Sequence, residues 1–198
     1  MIDKALQFIE REVNAYFDAR FGPATQKWVT LGNIARFADS EGGGNDDSSA
    51  RALMTLVNIE EDRVAKSPEH SFRTVQGVRY QNPEIPLNLY VLFTATSNSY
   101  TLSLQTVAMI MQCFQGCNVF ASATNPRLDA SIDRLILDLF TLNFEQINHL
   151  WSTLGGKYFP SVLYRVRMVG IVDSDRFAGG GLVREIVVND GAMNRGEG

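Results

Sequence analysis

The chain has 198 residues, 45% apolar and 20% charged, which fits one domain around one core and leaves too little for a second. A domain of this length buries roughly 70% of the surface its unfolded chain exposes, so folding requires no disulfide, metal or cofactor to supplement the core. The formal charge of −4 lacks the concentrated surplus of Lys and Arg that phosphate binding needs, which argues against nucleic acid as the main partner.

Ile2, Ala5, Leu6, Ile9, Val13, Tyr16 and Phe17 recur at helical spacing, and Gly22-Pro23 supplies a stop, so the chain opens with an amphipathic helix. Charged residues interrupt this segment, which excludes a signal peptide or membrane span and implies synthesis in the cytoplasm. Trp28 to Ile34 reads as a short strand, and residues 39–49 (DSEGGGNDDSS) have turn composition with almost nothing to bury. From Leu53, apolar Leu53, Val57 and Ile59 alternate with polar Asn58 and Glu60, the period of a half-buried strand that ends in Glu60-Glu61-Asp62. Residues 39–62 carry seven acids against one base, Arg51, a local charge of −6.

A further strand is expected over 71–80. Leu87, Leu89, Val91 and Phe93 then alternate with residues nearly as apolar, as in a strand at the centre of a sheet. Ser97 or Asn98 can cap a helix over 100–115, with Leu104, Val107, Ala108, Met111 and Phe114 as its expected buried face and Gly116 as its end. Cys113 and Cys117, four apart, suit neither a disulfide nor a redox pair and read as buried or idle thiols. A strand over 133–142 leads to Asn143, which with Gln146 forms a capping-box pattern for a helix that Gly155-Gly156 closes. Residues 161–172 form the clearest strand, with Val162, Tyr164, Val166 and Met168 on one face and Arg165 and Arg167 on the other. A last strand over 182–188 follows a glycine-rich segment, and the residues after it read as a disordered tail. The order of elements gives an α/β (α+β) domain: a mixed, mainly antiparallel sheet with helices packed on it over 1–172, and a C-terminal arm over 173–198.

Five templates for chemistry fail. A phosphate loop needs GxxxxGK[ST], but Gly156-Lys157 is followed by Tyr158 and preceded five back by Trp151. Gly179-Gly180-Gly181 leads into a strand, so no helix N-terminus faces an anion, and a hairpin turn is the better reading. His70 and His149 lack a second ligand at metal spacing. Glu60 and Glu61 point to opposite faces of a strand and cannot work as an acid–base pair. No serine lies in a GxSxG elbow, and no Cys–His arrangement follows from spacing. The interaction side is better supplied: a strand on a flexible tether can add to a neighbouring sheet, and Arg165 and Arg167 on one strand face can meet a partner's acids.

Residues 56–62 (LVNIEED), 82–96 (NPEIPLNLYVLFTAT), 100–115 (YTLSLQTVAMIMQCFQ) and 143–169 (NFEQINHLWSTLGGKYFPSVLYRVRMV) together resemble a known family. It is the N-terminal domain of the cap, or tail-terminator, proteins of phage-tail-like extracellular contractile injection systems. The resemblance covers about residues 1–172. It implies a tail-terminator-like fold and a non-catalytic structural protein without cofactors, working as a ring, usually a homo-hexamer, at the baseplate-distal end of the particle. Such a ring stops inner-tube polymerisation and anchors the last sheath layer, so the implied partners are further copies, the sheath protein and the inner-tube protein. Alternatives are another ring component of the same machine, in its tube or baseplate, and a small enzyme with a non-sequential site. Lys157, Tyr158, Arg165 and Arg167, together with the acids Glu60, Glu61 and Asp62, are the candidate partner-interface residues.

Overall fold

The first helix, α1 (Ile2–Phe21), forms where the apolar period requires it and stops at Gly22, whose φ of 85° suits a residue without a Cβ. The computed structural model describes residues 1–39, 51–62, 71–74, 77–80, 85–169 and 178–180. After α1 come β1 (Val29–Leu31), α2 (Ile34–Asp39), β2 (Ala52–Glu61), β3 (Ser71–Thr74), β4 (Gly77–Tyr80) and β5 (Leu87–Ala95). The chain continues through α3 (Tyr100–Gly116), β6 (Val119–Ala121), β7 (Arg134–Leu139), α4 (Phe144–Thr153), β8 (Ser161–Val169) and β9 (Ala178–Gly180).

Two compact units result. Met1–Lys66 with Glu84–Val172 make the first, and Ser67–Pro83 with Asp173–Gly198 the second. The first holds a six-stranded sheet of order β1-β2-β5-β8-β7-β6, antiparallel except for the parallel β1–β2 pair, with β5 internal as its apolar run predicts. The second holds the three-stranded antiparallel sheet β3-β4-β9.

One sheet face is the main core. Leu89, Val91 and Phe93 of β5 lie in register with Val166, Tyr164 and Val162 of β8, and α1 and α3 cover them with Leu6, Phe8, Ile9, Val13, Phe17, Ile110 and Phe114. Phe93, Phe114 and Tyr164 form an aromatic triangle with centroids 4.9 to 5.9 Å apart, each contact adding about 0.5–1.5 kcal/mol to area burial. Burial beside Cys113 pushes the Tyr164 hydroxyl up to about 12. The opposite face is covered at one end, where Ile34 of α2 and Trp151 of α4 pack on Leu53, Leu92 and Leu163.

Several expectations need correction. Ile34 does not extend β1 but starts α2, where Thr55 Oγ1 accepts from its amide at 3.1 Å. β2 does not alternate throughout, because a bulge between Leu56 and Asn58 moves Leu53 and Ile59 to opposite faces and leaves Ile59 exposed. The single strand expected over 71–80 is a hairpin of β3 and β4, and the strand expected over 133–142 is confined to β7. Ala178–Gly180 are not a turn; they pair with Val78–Tyr80 as β9. The face of α3 is also different: Ser103, Thr106, Ile110, Cys113 and Phe114 are buried, whereas Leu104 and Met111 are exposed. The loop at 40–50, Gly181, the strand expected over 182–188 and the tail lie outside the described residues.

The capping box at α4 is complete, with Asn143 accepting from the Gln146 amide at 2.8 Å and the Gln146 side chain accepting from the Asn143 amide at 3.0 Å. Asn143→Ala should lower the unfolding free energy by about 1 kcal/mol in a urea titration, and an unchanged midpoint would count against the cap. At the other end of the unit, Lys4 of α1 donates to Asp129 at 2.8 Å, and the Ser131 amide donates to the same carboxylate. These bonds, the lysine's first, hold Asp129 well below the usual carboxylate range. A depressed pKa means the contact persists above the unfolded value near ~4 and is lost only as pH falls through the lower folded one. Amide exchange in the first turn of α1 should therefore quicken only well below pH ~4, and Asp129→Asn should remove that dependence.

Candidate functional site

Arg165 and Arg167 share one face of β8 because residues two apart on a strand point the same way. Register places Tyr90 and Asn88 of β5 beside them on one side, and Asp138 and Ile136 of β7 on the other. Asp138 Oδ2 lies 3.4 Å from Nη2 of Arg165 and 3.0 Å from Nη2 of Arg167, so one carboxylate faces two guanidinium groups. The Nε atoms of both arginines and Oδ1 of the buried Asn88 are enclosed without a hydrogen-bond partner among the described residues. The cluster thus keeps unused hydrogen-bonding capacity.

Glu60 joins this face. Its carboxylate accepts from the Tyr90 hydroxyl at 2.7 Å, and that bond, with burial second, raises the tyrosine pKa. Glu61 stands opposite Leu87 and points the other way, as adjacent strand residues must, and Asp62 follows the strand, its amide bonded to the Pro86 carbonyl. Between Tyr90 and α4 lies a hollow of about 490 Å³ lined by Val57, Phe140, His149, Leu150 and Leu163. The polar cluster is therefore the part of this face that α2 and α4 leave open, and it borders an apolar hollow.

Lys157 and Tyr158 are not part of this cluster. They precede β8, whose residues 161 to 167 span ~20 Å at strand rise, so they lie near its other end. Tyr158 is exposed and stands edge-on to Trp151 at 5.7 Å. Sequence reading brings out the arginines but misses Asp138, Asn88 and Tyr90. Their only signal is register, since the nearest of them to Arg165 lies 27 positions away.

Among the described residues, no group of three His, Cys, Asp or Glu side chains is placed to hold a metal ion, and no helix is long and apolar enough to cross a membrane. The geometry offers charge and shape to a partner: guanidinium groups for carboxylates, bordered by apolar surface.

Two solved structures share the fold. The sheath/tube terminator of the extracellular contractile injection system PVC, in its extended state, superposes with a TM-score of 0.51 at 13% identity, over 94% of this chain and 65% of that one. The tube-terminating cap of the anti-feeding prophage gives a TM-score of 0.57 at 14% identity, over 91% of this chain and 59% of that one. The chain thus spans about three fifths of the length of each. No curated protein matches it in sequence. The family model described as the Pvc16 N-terminal domain matches residues 5–185, nearly the whole length, and the chain belongs to that family.

Proposed function

We propose that this chain is a structural cap, or tail terminator, of a contractile injection system, ending inner-tube polymerisation and anchoring the terminal sheath layer. The observation that carries this reading is the family match over residues 5–185; the likeness of fold to two terminators supports it. In this reading the chain has no catalytic role and acts as a closed ring, six copies in number, made in the cytoplasm and placed at the distal end of the released particle. A ring of identical subunits needs one heterologous contact that closes by rotation, plus separate surfaces for tube and sheath. The face bearing Arg165, Arg167 and Glu60 meets acidic groups on one of those partners, and Lys157 and Tyr158 contribute at the far end of β8.

The test is deletion of the gene in a strain that makes particles, followed by electron microscopy. Loss of a terminator gives particles with abnormal or unregulated tube and sheath lengths. Absence of any particle would assign the chain to the tube or baseplate instead, and normal particles would reject an assembly role.

A further inference from the structure

From Ile85 through Pro126 there is no Asp, Glu, Lys or Arg, in a chain of which 20% is charged. Burial accounts for this in β5, which lies inside the sheet, but not in α3. One side of α3 packs against β5, β8 and α1. On its other side Thr101, Leu104, Ala108, Met111 and Gln115 are exposed, Leu104 to 48% and Met111 to 39%. A helix on the surface of a monomer carries charged residues outward, whereas one that is apolar all round is a buried helix. α3 therefore has the composition of a buried helix and an uncovered face.

The exposed positions recur at intervals of three and four, the seam spacing of a helix that packs on another helix. Ala108 at the middle of the seam lets a second backbone come close between the longer Leu104 and Met111. The covering helix must itself be free of charge, because a carboxylate or ammonium brought against this face would lose its water and meet no counter-charge. Of the four described helices, α1, α2 and α4 carry charged residues and α3 carries none.

We infer that α3 of a second copy covers this face across a two-fold axis, so that the free chain pairs through its α3 helices. An antiparallel arrangement centred on Ala108 sets Leu104 of each copy beside Met111 of the other and Thr101 beside Gln115, and it opposes the two helix dipoles. The 17 residues of α3 make a helix of about 25 Å. Two such helices bury on the order of 1,000 Å², the lower end for a specific contact, so the pair is reversible and depends on concentration. The pairing stands apart from the cap reading, since it concerns the chain free in solution and uses no contact with tube or sheath.

The test uses the full chain. In sedimentation velocity its average mass should rise from 22.0 kDa toward twice that value as the concentration approaches about 100 µM. Ala108→Glu, at an exposed helical position, should weaken the association on the order of 30-fold or more with unchanged circular dichroism; Leu104→Gln with Met111→Gln serves if the spectrum is lost. A two-fold axis brings a central residue near its own copy. Ala108→Cys in a Cys117→Ser chain should thus give a disulfide-linked dimer on oxidation with diamide, whereas Ala19→Cys, exposed on α1, should not. An unaltered chain that stays monomeric, association that survives the charge at position 108, or a cysteine at position 108 that fails to cross-link would each overturn the pairing. The particle-length experiment decides the cap reading separately.

Discussion

Replacing Asn14 by alanine should cost the folded chain about 3 kcal/mol. Asn14 sits on α1 one turn after Glu10, and its amide group makes three hydrogen bonds to the backbone of Trp28 and Val29. Each such bond contributes about 1 kcal/mol net, and alanine leaves the strand's donors and acceptor in a half-buried crevice that water enters poorly. The loss should appear as a lower urea midpoint with an unchanged slope. It should also appear as faster amide exchange at Val29. A change below about 1 kcal/mol would mean that water replaces the side chain, and that the β1 edge is not held by α1.

The second large effect concerns assembly rather than folding. Arg165→Gln with Arg167→Gln should leave the monomer within about 1 kcal/mol of its original stability, because the Asp138 pairs are partly exposed and such pairs contribute little. Incorporation into particles should fall on the order of tenfold or more, as expected when guanidinium contacts to acidic partners are lost. Glutamine is the informative choice. Glutamate at both positions would set three carboxylates within a few ångströms of each other around Asp138, and a failure to assemble would then reflect monomer repulsion. Asp138→Asn frees both guanidinium groups and should not weaken incorporation. Particles that take up the double glutamine variant normally would remove this face from the list of contacts.

What could be read from the sequence depended on how one-sided each segment is. α1 carries charge on one face and apolar residues on the other, so its period locates it, and the capping box fixes the start of α4 to the residue. β5 and β8 are legible because they are long and carry apolar residues at every second position. α3 misleads because it is apolar on nearly every side. The period through Leu104 and Met111 looks as good as the one that is buried, and two hydroxyl residues, Ser103 and Thr106, in fact face the sheet. They can do so because Ser103 Oγ donates to the Ser97 carbonyl and Thr106 Oγ1 to that of Leu102, which satisfies both hydroxyls locally and lets a thin helix face approach closely. β6 has three residues and no period to detect. The arginine cluster is half legible: Arg165 and Arg167 follow from strand alternation, but Asp138, Asn88 and Tyr90 join them only through a register that no local pattern encodes.

The same turn of α3 gives the two thiols different chemical characters. Cys113 is buried and burial pushes it up to about 12, whereas Cys117 at the helix end is exposed beside Val119. Cys117 is therefore the thiol that a maleimide can reach. Without any engineering, the chain carries a single exposed thiol for fluorophore attachment, next to β6. A dye placed there would report on the surroundings of β6 through its emission.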